Sequence, residues 1–199
     1  MKLTTIAFAA ASVAATFTAL PTQAASRDVS ITSATRYYAI AGRSPAEFAN
    51  EMSRRGPYSA QHRRRVWATA ARTMRYQIER KRKGNRCRIT RAKVWMKIDY
   101  TLPKLRKAGV RASARRSWSQ MYKILSAHEK VHGRYYAQLA RTTHASLRKL
   151  RAHRSCRSLD AAAARLVKRL SAQNQTINDR FDRTDQANYR RMERIYSMR

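Results

Sequence analysis

Acidic residues are scarce in this sequence. The 199-residue chain has 11 Asp and Glu against 44 Lys and Arg, which gives a formal net charge of +33 at pH 7. Such an excess of positive charge attracts polyanions, namely nucleic acids, acidic lipid head groups and anionic envelope polymers. It does not determine the fold, but it requires most arginines to lie on solvated faces, because unpaired charges are rarely buried.

Long hydrophobic runs are absent beyond the N-terminus. There, an uncharged and largely apolar stretch from Ile6 to Leu20 follows a basic residue and is ended by Pro21 and several small residues. This order predicts a secretory signal peptide over residues 1–25. The alternative is an uncleaved membrane anchor, but the run is shorter than the roughly 18–20 residues that span a bilayer. We therefore expect a periplasmic or secreted protein with a single domain over residues 26–199.

Cysteine is also rare, since the chain contains only Cys87 and Cys156. Neither residue has a second cysteine nearby, which argues against a thiolate zinc site or a redox motif. In the oxidising compartment that the signal peptide implies, so widely spaced a pair readily forms a disulfide. The alternative is two free, buried thiols.

Three segments have the composition of strands. β-Branched and aromatic residues are frequent over residues 29–40, 65–78 and 87–102, which favours extended structure. The second and third segments flank a basic turn over residues 80–86 and are expected to pair as antiparallel neighbours. Pro103 is expected to end the third strand, because proline lacks the N–H that a strand interior uses.

The remaining segments have helical patterns. Ser44 and the following proline and glutamate are typical of a helix start, and Gly56-Pro57 ends this short helix. Apolar spacings of three and four predict a helix of about 35 residues starting near Ala112. Ser158 is expected to cap another helix that runs from Ala161 towards Tyr196. The prediction is an α+β fold: a small antiparallel sheet with a short N-terminal helix, followed by two long helices.

The first long helix carries the motif His128-Glu129-Lys130-Val131-His132. Residues four apart lie on one face of a helix, so both imidazoles can reach one Zn²⁺ ion. Glu129 would then act as general base, taking a proton from a zinc-activated water. The alternative is two surface histidines on a basic helix, but the apolar residues around the motif indicate a packed helix. We therefore predict a zincin-like active-site helix with His128 and His132 as metal ligands and Glu129 as the catalytic residue.

The residues themselves leave the third zinc ligand open. The extended motif with glycine and a third histidine is absent, because Tyr135 and Gln138 occupy those positions. His144 lies more than three turns further along the same helix, and His153 lies at its end. The acidic candidates later in the chain are Asp160, Asp179, Asp182, Asp185 and Glu193.

Several of these segments together resemble one bacterial family. The stretch from Tyr37 to Phe48 is similar to its opening strand and helix, and the stretch from Cys87 to Pro103 is similar to its central strands. Trp118 followed by the histidine motif is similar to its active helix. The family is described as predicted secreted zinc-dependent proteases, otherwise of unknown function. The resemblance extends to Cys156 and so supports its pairing with Cys87.

The resemblance weakens near the C-terminus. The family has a late Tyr-Asp-x-x-Thr-x-His-Gly segment, and the similar stretch here runs from Phe181 to Asn188. The aromatic-Asp pair matches, but the threonine is out of register and the histidine and glycine are missing. The matching aspartate implies Asp182 as the third zinc ligand. The alternative is that this segment only closes the cleft.

Two functions follow as expectations. The first is an exported zinc metallopeptidase that acts on a peptide or protein substrate. The second is a non-catalytic basic envelope protein that binds an anionic polymer or a membrane surface and keeps a structural or vestigial metal site. Nucleic acid is disfavoured as a partner, because the aromatic residues form no regular stacking array and no zinc-finger spacing exists.

Overall fold

The computed structural model describes residues 28–61, 63–106 and 108–197. The expected signal peptide over residues 1–25 lies outside the described residues. The described part of the chain combines two small sheets with four helices, which confirms the α+β class. Its elements, in chain order, are β1 (Val29–Ile40), α1 (Pro45–Arg55), β2 (Tyr58–Ser59), β3 (Arg64–Arg65), β4 (Thr69–Lys83), β5 (Arg86–Leu105), α2 (Ala112–Arg148), α3 (Cys156–Thr184) and α4 (Gln186–Ser197).

The main sheet has the strand order β1-β5-β4 and is mixed, so the expectation of an antiparallel sheet is wrong in part. Strands β4 and β5 form the predicted antiparallel hairpin across the basic turn. Strand β1, however, runs parallel to β5 along its whole length. The two strands of the β4–β5 hairpin run in opposite directions. Strand β1 pairs with β5, which is the strand that runs in the same direction as β1.

The strand limits also differ from those expected. The segment 65–78 is divided between β3 and β4, and β5 continues through Pro103 to Leu105. The N–H of Arg106 donates to the carbonyl of Ile40 in β1, so the alternating backbone turns the nitrogen of Pro103 away from β1. The nitrogen of Pro103 therefore points to the side of β4. Strand β4 starts at Thr69, which lies opposite Thr101, so it does not extend as far as Pro103. No neighbouring strand therefore needs the N–H that Pro103 lacks.

Helix α2 confirms the predicted long helix, with 37 residues. The last predicted helix differs from the prediction in two ways: it starts earlier, and it is interrupted so that it forms two helices. Ser155 caps α3, and Ser158 is the third helical residue, with which Ser155 forms a reciprocal capping box. The helix then breaks at Asp185, whose backbone leaves the helical region and separates α3 from α4. Among the described residues, no helix is long and apolar enough to cross a membrane.

Helix α2 joins two apolar cores. Its N-terminal half packs with α1 and α4 around Phe48, Met52 and Met121. Its C-terminal half packs with the sheet and α3 around Val94 and Leu147. The histidine motif occupies the part of α2 between these cores, where neither fills the space beside the helix.

A glycine brings α2 close to β5 at this point. Gly133 follows directly after His132, and a Cβ there would overlap the hydroxyl of Tyr100 in β5. The absent side chain thus permits the close approach of the two elements. The histidine motif therefore lies against the sheet, next to the first residues of β4.

The predicted disulfide between Cys87 and Cys156 is present, with an S–S distance of 2.03 Å. It is accompanied by two backbone hydrogen bonds, from Cys87 N to His153 O at 2.7 Å and from His153 N to Cys87 O at 2.9 Å. The start of β5 is therefore fixed to the connection between α2 and α3.

Candidate metal centre

Three potential ligand atoms converge where α2 faces α3. The Nε2 atoms of His128 and His132 lie 3.1 Å apart, as expected for residues one helical turn apart. Asp182 Oδ1 lies 3.2 Å from His128 Nε2 and 2.9 Å from His132 Nε2. These three residues form a group that could hold one metal ion.

The spacing of these atoms fits zinc. Tetrahedral Zn²⁺ with bonds of about 2.0–2.1 Å separates its ligand atoms by roughly 3.3 Å. The three separations of 2.9–3.2 Å are close to the edges of such a tetrahedron. Two imidazoles and one carboxylate are also donors that zinc commonly takes, and three protein ligands leave one position open, as in catalytic sites.

Each imidazole is oriented by a hydrogen bond on its other nitrogen. His128 Nδ1 lies 2.7 Å from Asp185 Oδ2, and His132 Nδ1 lies 2.6 Å from Asn178 Oδ1. Because these oxygens accept, each Nδ1 carries a proton, and Nε2 is the atom that would bind a metal once it has given up its own proton. Asn188 donates to Asp185 at 2.8 Å and holds that carboxylate in turn.

Sequence reasoning missed Asn178 and considered Asp185 only as a metal ligand. A signal for Asn178 exists in the spacing of Asn174, Asn178 and Asp182, which places three polar residues on one face of α3. The amide of Asn178 donates to the Asn174 carbonyl at 2.7 Å, so its oxygen is the atom turned to His132. Asp185 accepts the hydrogen bond that orients His128. In the similar family segment described above, threonine stands at this position.

Replacing Asn178 by leucine should weaken zinc binding about 10- to 100-fold, because His132 would lose the acceptor that fixes its tautomer. The affinity can be measured by competition with a chromogenic chelator. Gln173→Leu, on the solvent face of the same helix, is the matched control and should keep wild-type affinity. Equal affinity in the two variants would contradict the orienting role of Asn178.

Glu129 lies beside the three converging atoms and is 6% exposed. The backbone N–H of Ala70, at the edge of β4, donates a hydrogen bond to its carboxylate. Burial raises the pKa of Glu129 above its usual value, and the two histidines only partly oppose this effect. A carboxylate whose pKa is raised above its usual value is better suited to accept and return a proton.

The metal-free site holds an ion pair. Burial alone would lower the pKa of His128, but hydrogen bonds to Asp182 and Asp185 raise it to about 9. Burial would raise the pKa of Asp182, but hydrogen bonds to His128 and His132 hold it well below its usual value. The imidazole is therefore protonated at neutral pH until a metal displaces that proton.

The metal-free protein should lose stability as pH rises from about 6.5 to 9. Over this window the folded state retains a proton on His128 that the unfolded state has released, so deprotonation favours unfolding. The loss should be on the order of 3 kcal/mol, measured by urea unfolding of zinc-stripped protein. His128→Gln should make the profile less steep over this window, with a remainder from His132: burial would lower the pKa of this residue, but hydrogen bonds to Asp182 and Asn178 raise it. A wild-type profile that is already flat would refute the assignment.

The site opens into a cleft of about 850 Å³, a size typical of ligand pockets. Its walls come from the β2–β3 hairpin, the first residues of β4 and the helices α2, α3 and α4. Phe181 packs against the rings of His128 and His132, with centroids 4.7 and 5.2 Å away. Tyr189 lies at the rim and is 48% exposed. The cleft thus leads from the surface to Glu129, His128, His132 and Asp182.

The other ligand candidates lie elsewhere or have other partners. Asp160 pairs with Arg80 at 3.1 Å. Asp179 accepts from Gln61 at 2.8 Å, which ties the β2–β3 hairpin to α3. His144 lies about 18 Å along α2 from His132, and Glu193 is exposed on α4. Of the acidic candidates, the structure brings only Asp182 and Asp185 to the two histidines, and only Asp182 to their Nε2 atoms.

Comparisons with known proteins give one match. No curated protein and no solved structure matches the chain. The family described as "Bacterial protein of unknown function (DUF922)" matches residues 35–189. This segment includes the second half of β1, all of β4 and β5, the histidine motif, Asp182 and Asp185. Since the match covers well over half of the sequence, the chain belongs to this bacterial family.

Proposed function

We propose that the protein is an exported zinc-dependent metallopeptidase that hydrolyses peptide bonds. The observation that carries this proposal is the convergence of His128, His132 and Asp182 within 3.2 Å of one another, beside a buried glutamate in an open cleft. A site that only binds a metal does not need a carboxylate next to the open position. A hydrolase does, because water must lose a proton as it attacks.

Zinc bound by these three residues would lower the pKa of water and polarise the scissile carbonyl. Glu129 accepts the proton of the attacking water and delivers it to the leaving nitrogen. The hydrogen bond from Ala70 holds its carboxylate in place. Asp185 and Asn178 keep the two imidazoles in the orientation that binding requires.

Charged and apolar side chains both line the cleft. Arg64, Arg65 and Arg183 line it together with the apolar side chains of Trp67 and Leu125, and so do the carboxylates of Glu129, Asp179, Asp182 and Asp185. The arginines would pair with carboxylate groups of a peptide and the apolar wall would contact the rest of it, although the lining as a whole has no excess of positive charge. Peptide cross-links of an anionic cell-wall polymer are one substrate of this kind.

The competing proposal is a non-catalytic basic envelope protein, which the net charge of +33 favours. Both proposals place the protein in the periplasm or outside the cell, on the basis of the signal-like N-terminus. They differ in what the metal site does.

Zinc content of the purified protein is the first test. Elemental mass spectrometry after dialysis should give about one zinc per chain for the wild type and none for His128→Ala or Asp182→Ala. His153→Ala is the matched control and should retain the metal, because this histidine lies in the α2–α3 connection and outside the cleft. A wild-type protein without zinc, even after zinc is added back, would refute the peptidase proposal.

A further inference from the structure

Two basic segments form one end of the molecule, which we call the basic pole. The tip of the β4–β5 hairpin supplies one group of exposed cations, and the connection between α2 and α3 supplies the other. The hairpin residues are Arg80, Lys81, Arg82, Lys83, Arg86 and Arg88. The connection residues are Arg148, Lys149, Arg151, Arg154 and Arg157.

Covalent and backbone bonds hold the two groups together. Cys87 in the hairpin is joined to Cys156 at the start of α3, and its backbone pairs with His153. Among the described residues, the basic pole makes one ion pair, from Arg80 to Asp160 at 3.1 Å. Eleven cations are thus fixed close to each other, and ten of them lack an acidic partner in the described part of the chain.

Some cations on the main sheet do have acidic partners, although others there, such as Arg75 and Lys104, have none among the described residues. Arg36 and Lys97 both contact Asp99, and Arg91 contacts Asp28 at 2.8 Å. Concentrated like charges destabilise a folded protein by mutual repulsion. At the basic pole this repulsion persists and a disulfide opposes it, which indicates that the partner anions come from outside the chain.

The basic pole lies far from the cleft. Arg148 is about 24 Å from His132 along α2, and Lys83 is roughly 40 Å from Ala70 along β4. A surface bound at the basic pole would therefore leave the cleft open to substrate.

We propose that the basic pole docks the protein on an anionic lipid bilayer. The pole joins a hairpin tip to a helix connection, and its eleven exposed cations are complementary to the negative charge of an acidic-lipid surface. Clusters of four to eight Lys and Arg are already typical of acidic-lipid binding. The neighbouring apolar residues Ile78, Ile89 and Leu150 pack into the core, so attachment is electrostatic, without insertion.

Vesicle co-sedimentation tests this docking directly. The exported full chain is mixed with vesicles of phosphatidylcholine that contain roughly one-third phosphatidylglycerol, or of phosphatidylcholine alone. Binding is expected only to the anionic vesicles. It should also decline steeply as salt rises above about 0.1 M, because salt screens exposed charges.

Three variants of equal charge change locate the binding surface. The hairpin variant carries Lys81→Gln, Arg82→Gln, Lys83→Gln and Arg86→Gln. The connection variant carries Arg148→Gln, Lys149→Gln, Arg151→Gln and Arg154→Gln. The control variant carries Arg111→Gln, Arg115→Gln, Arg116→Gln and Lys123→Gln, all exposed towards the other end of α2.

Each pole variant should partition to anionic vesicles at least about tenfold more weakly than the wild type, and the control less than about threefold. Melting temperatures no lower than that of the wild type, together with unchanged zinc content, would show that the variants fold. Equal weakening in all three would overturn the proposal in favour of overall charge, and no weakening in the pole variants would overturn it outright. Tight binding to polyphosphate or duplex DNA without vesicle binding would identify a linear polyanion instead. None of these outcomes depends on hydrolysis.

Discussion

Glu129→Gln is expected to retain about one zinc per chain and to lose peptide hydrolysis by about 10²- to 10⁴-fold. The three ligand atoms belong to His128, His132 and Asp182, so the metal does not depend on Glu129. Glutamine has nearly the same shape and still accepts from the N–H of Ala70. It has no carboxylate to take the proton of water, so the chemical step alone is affected.

Zinc content and turnover of an acidic fluorogenic peptide should be measured on the same preparation. Glu193→Gln is the control, because it removes the same charge from an exposed position on α4. It should show wild-type values for both measurements. Hydrolysis at the wild-type rate in Glu129→Gln would show that another group is the base, and loss of zinc would show that Glu129 supports the metal instead.

The convergence of the first two proposed ligands could be predicted because their arrangement is local. A spacing of four residues on an amphipathic helix is sufficient to place His128 and His132 on one face. The third ligand could not be derived in this way. Asp182 lies on another helix, and its proximity to the motif depends on how α2 and α3 pack. The family resemblance implies Asp182, and its Oδ1 lies 3.2 Å from His128 Nε2 and 2.9 Å from His132 Nε2.

The residues that orient the site escaped prediction for a related reason. The apolar period continues from α3 into α4, so the pattern gives no sign of a break at Asp185. The break occurs where the Asp185 side chain bonds His128 and Asn188, a tertiary contact that overrides helix continuity. The parallel pairing of β1 with β5 is likewise non-local. An alternating pattern defines which face of a strand is buried, but it does not define the direction of its neighbour.

The variant with both Cys87→Ser and Cys156→Ser is expected to unfold with a free energy lower by about 4 kcal/mol. The disulfide closes a loop across a sequence separation of 69 residues, and opening that loop raises the entropy of the unfolded chain. For a domain of this size the melting temperature should fall by roughly 10 °C. The loss should be larger at low ionic strength, because the disulfide also holds the two halves of the basic pole together against their repulsion.

Unfolding in urea at low and high salt, for wild type and double variant, separates these two effects. The loop-closure part is independent of salt, whereas the repulsive part should shrink as salt is added. The hairpin variant with four glutamines, combined with the double serine change, is the matched control, because it removes much of the repulsion and should show a weaker salt dependence. Zinc affinity should be unchanged, since the disulfide lies beyond the C-terminal end of α2, more than about 24 Å along the helix from His132. Equal stability with and without the disulfide would contradict the loop-closure argument. A salt-independent loss of stability would mean that the basic pole carries no internal repulsion.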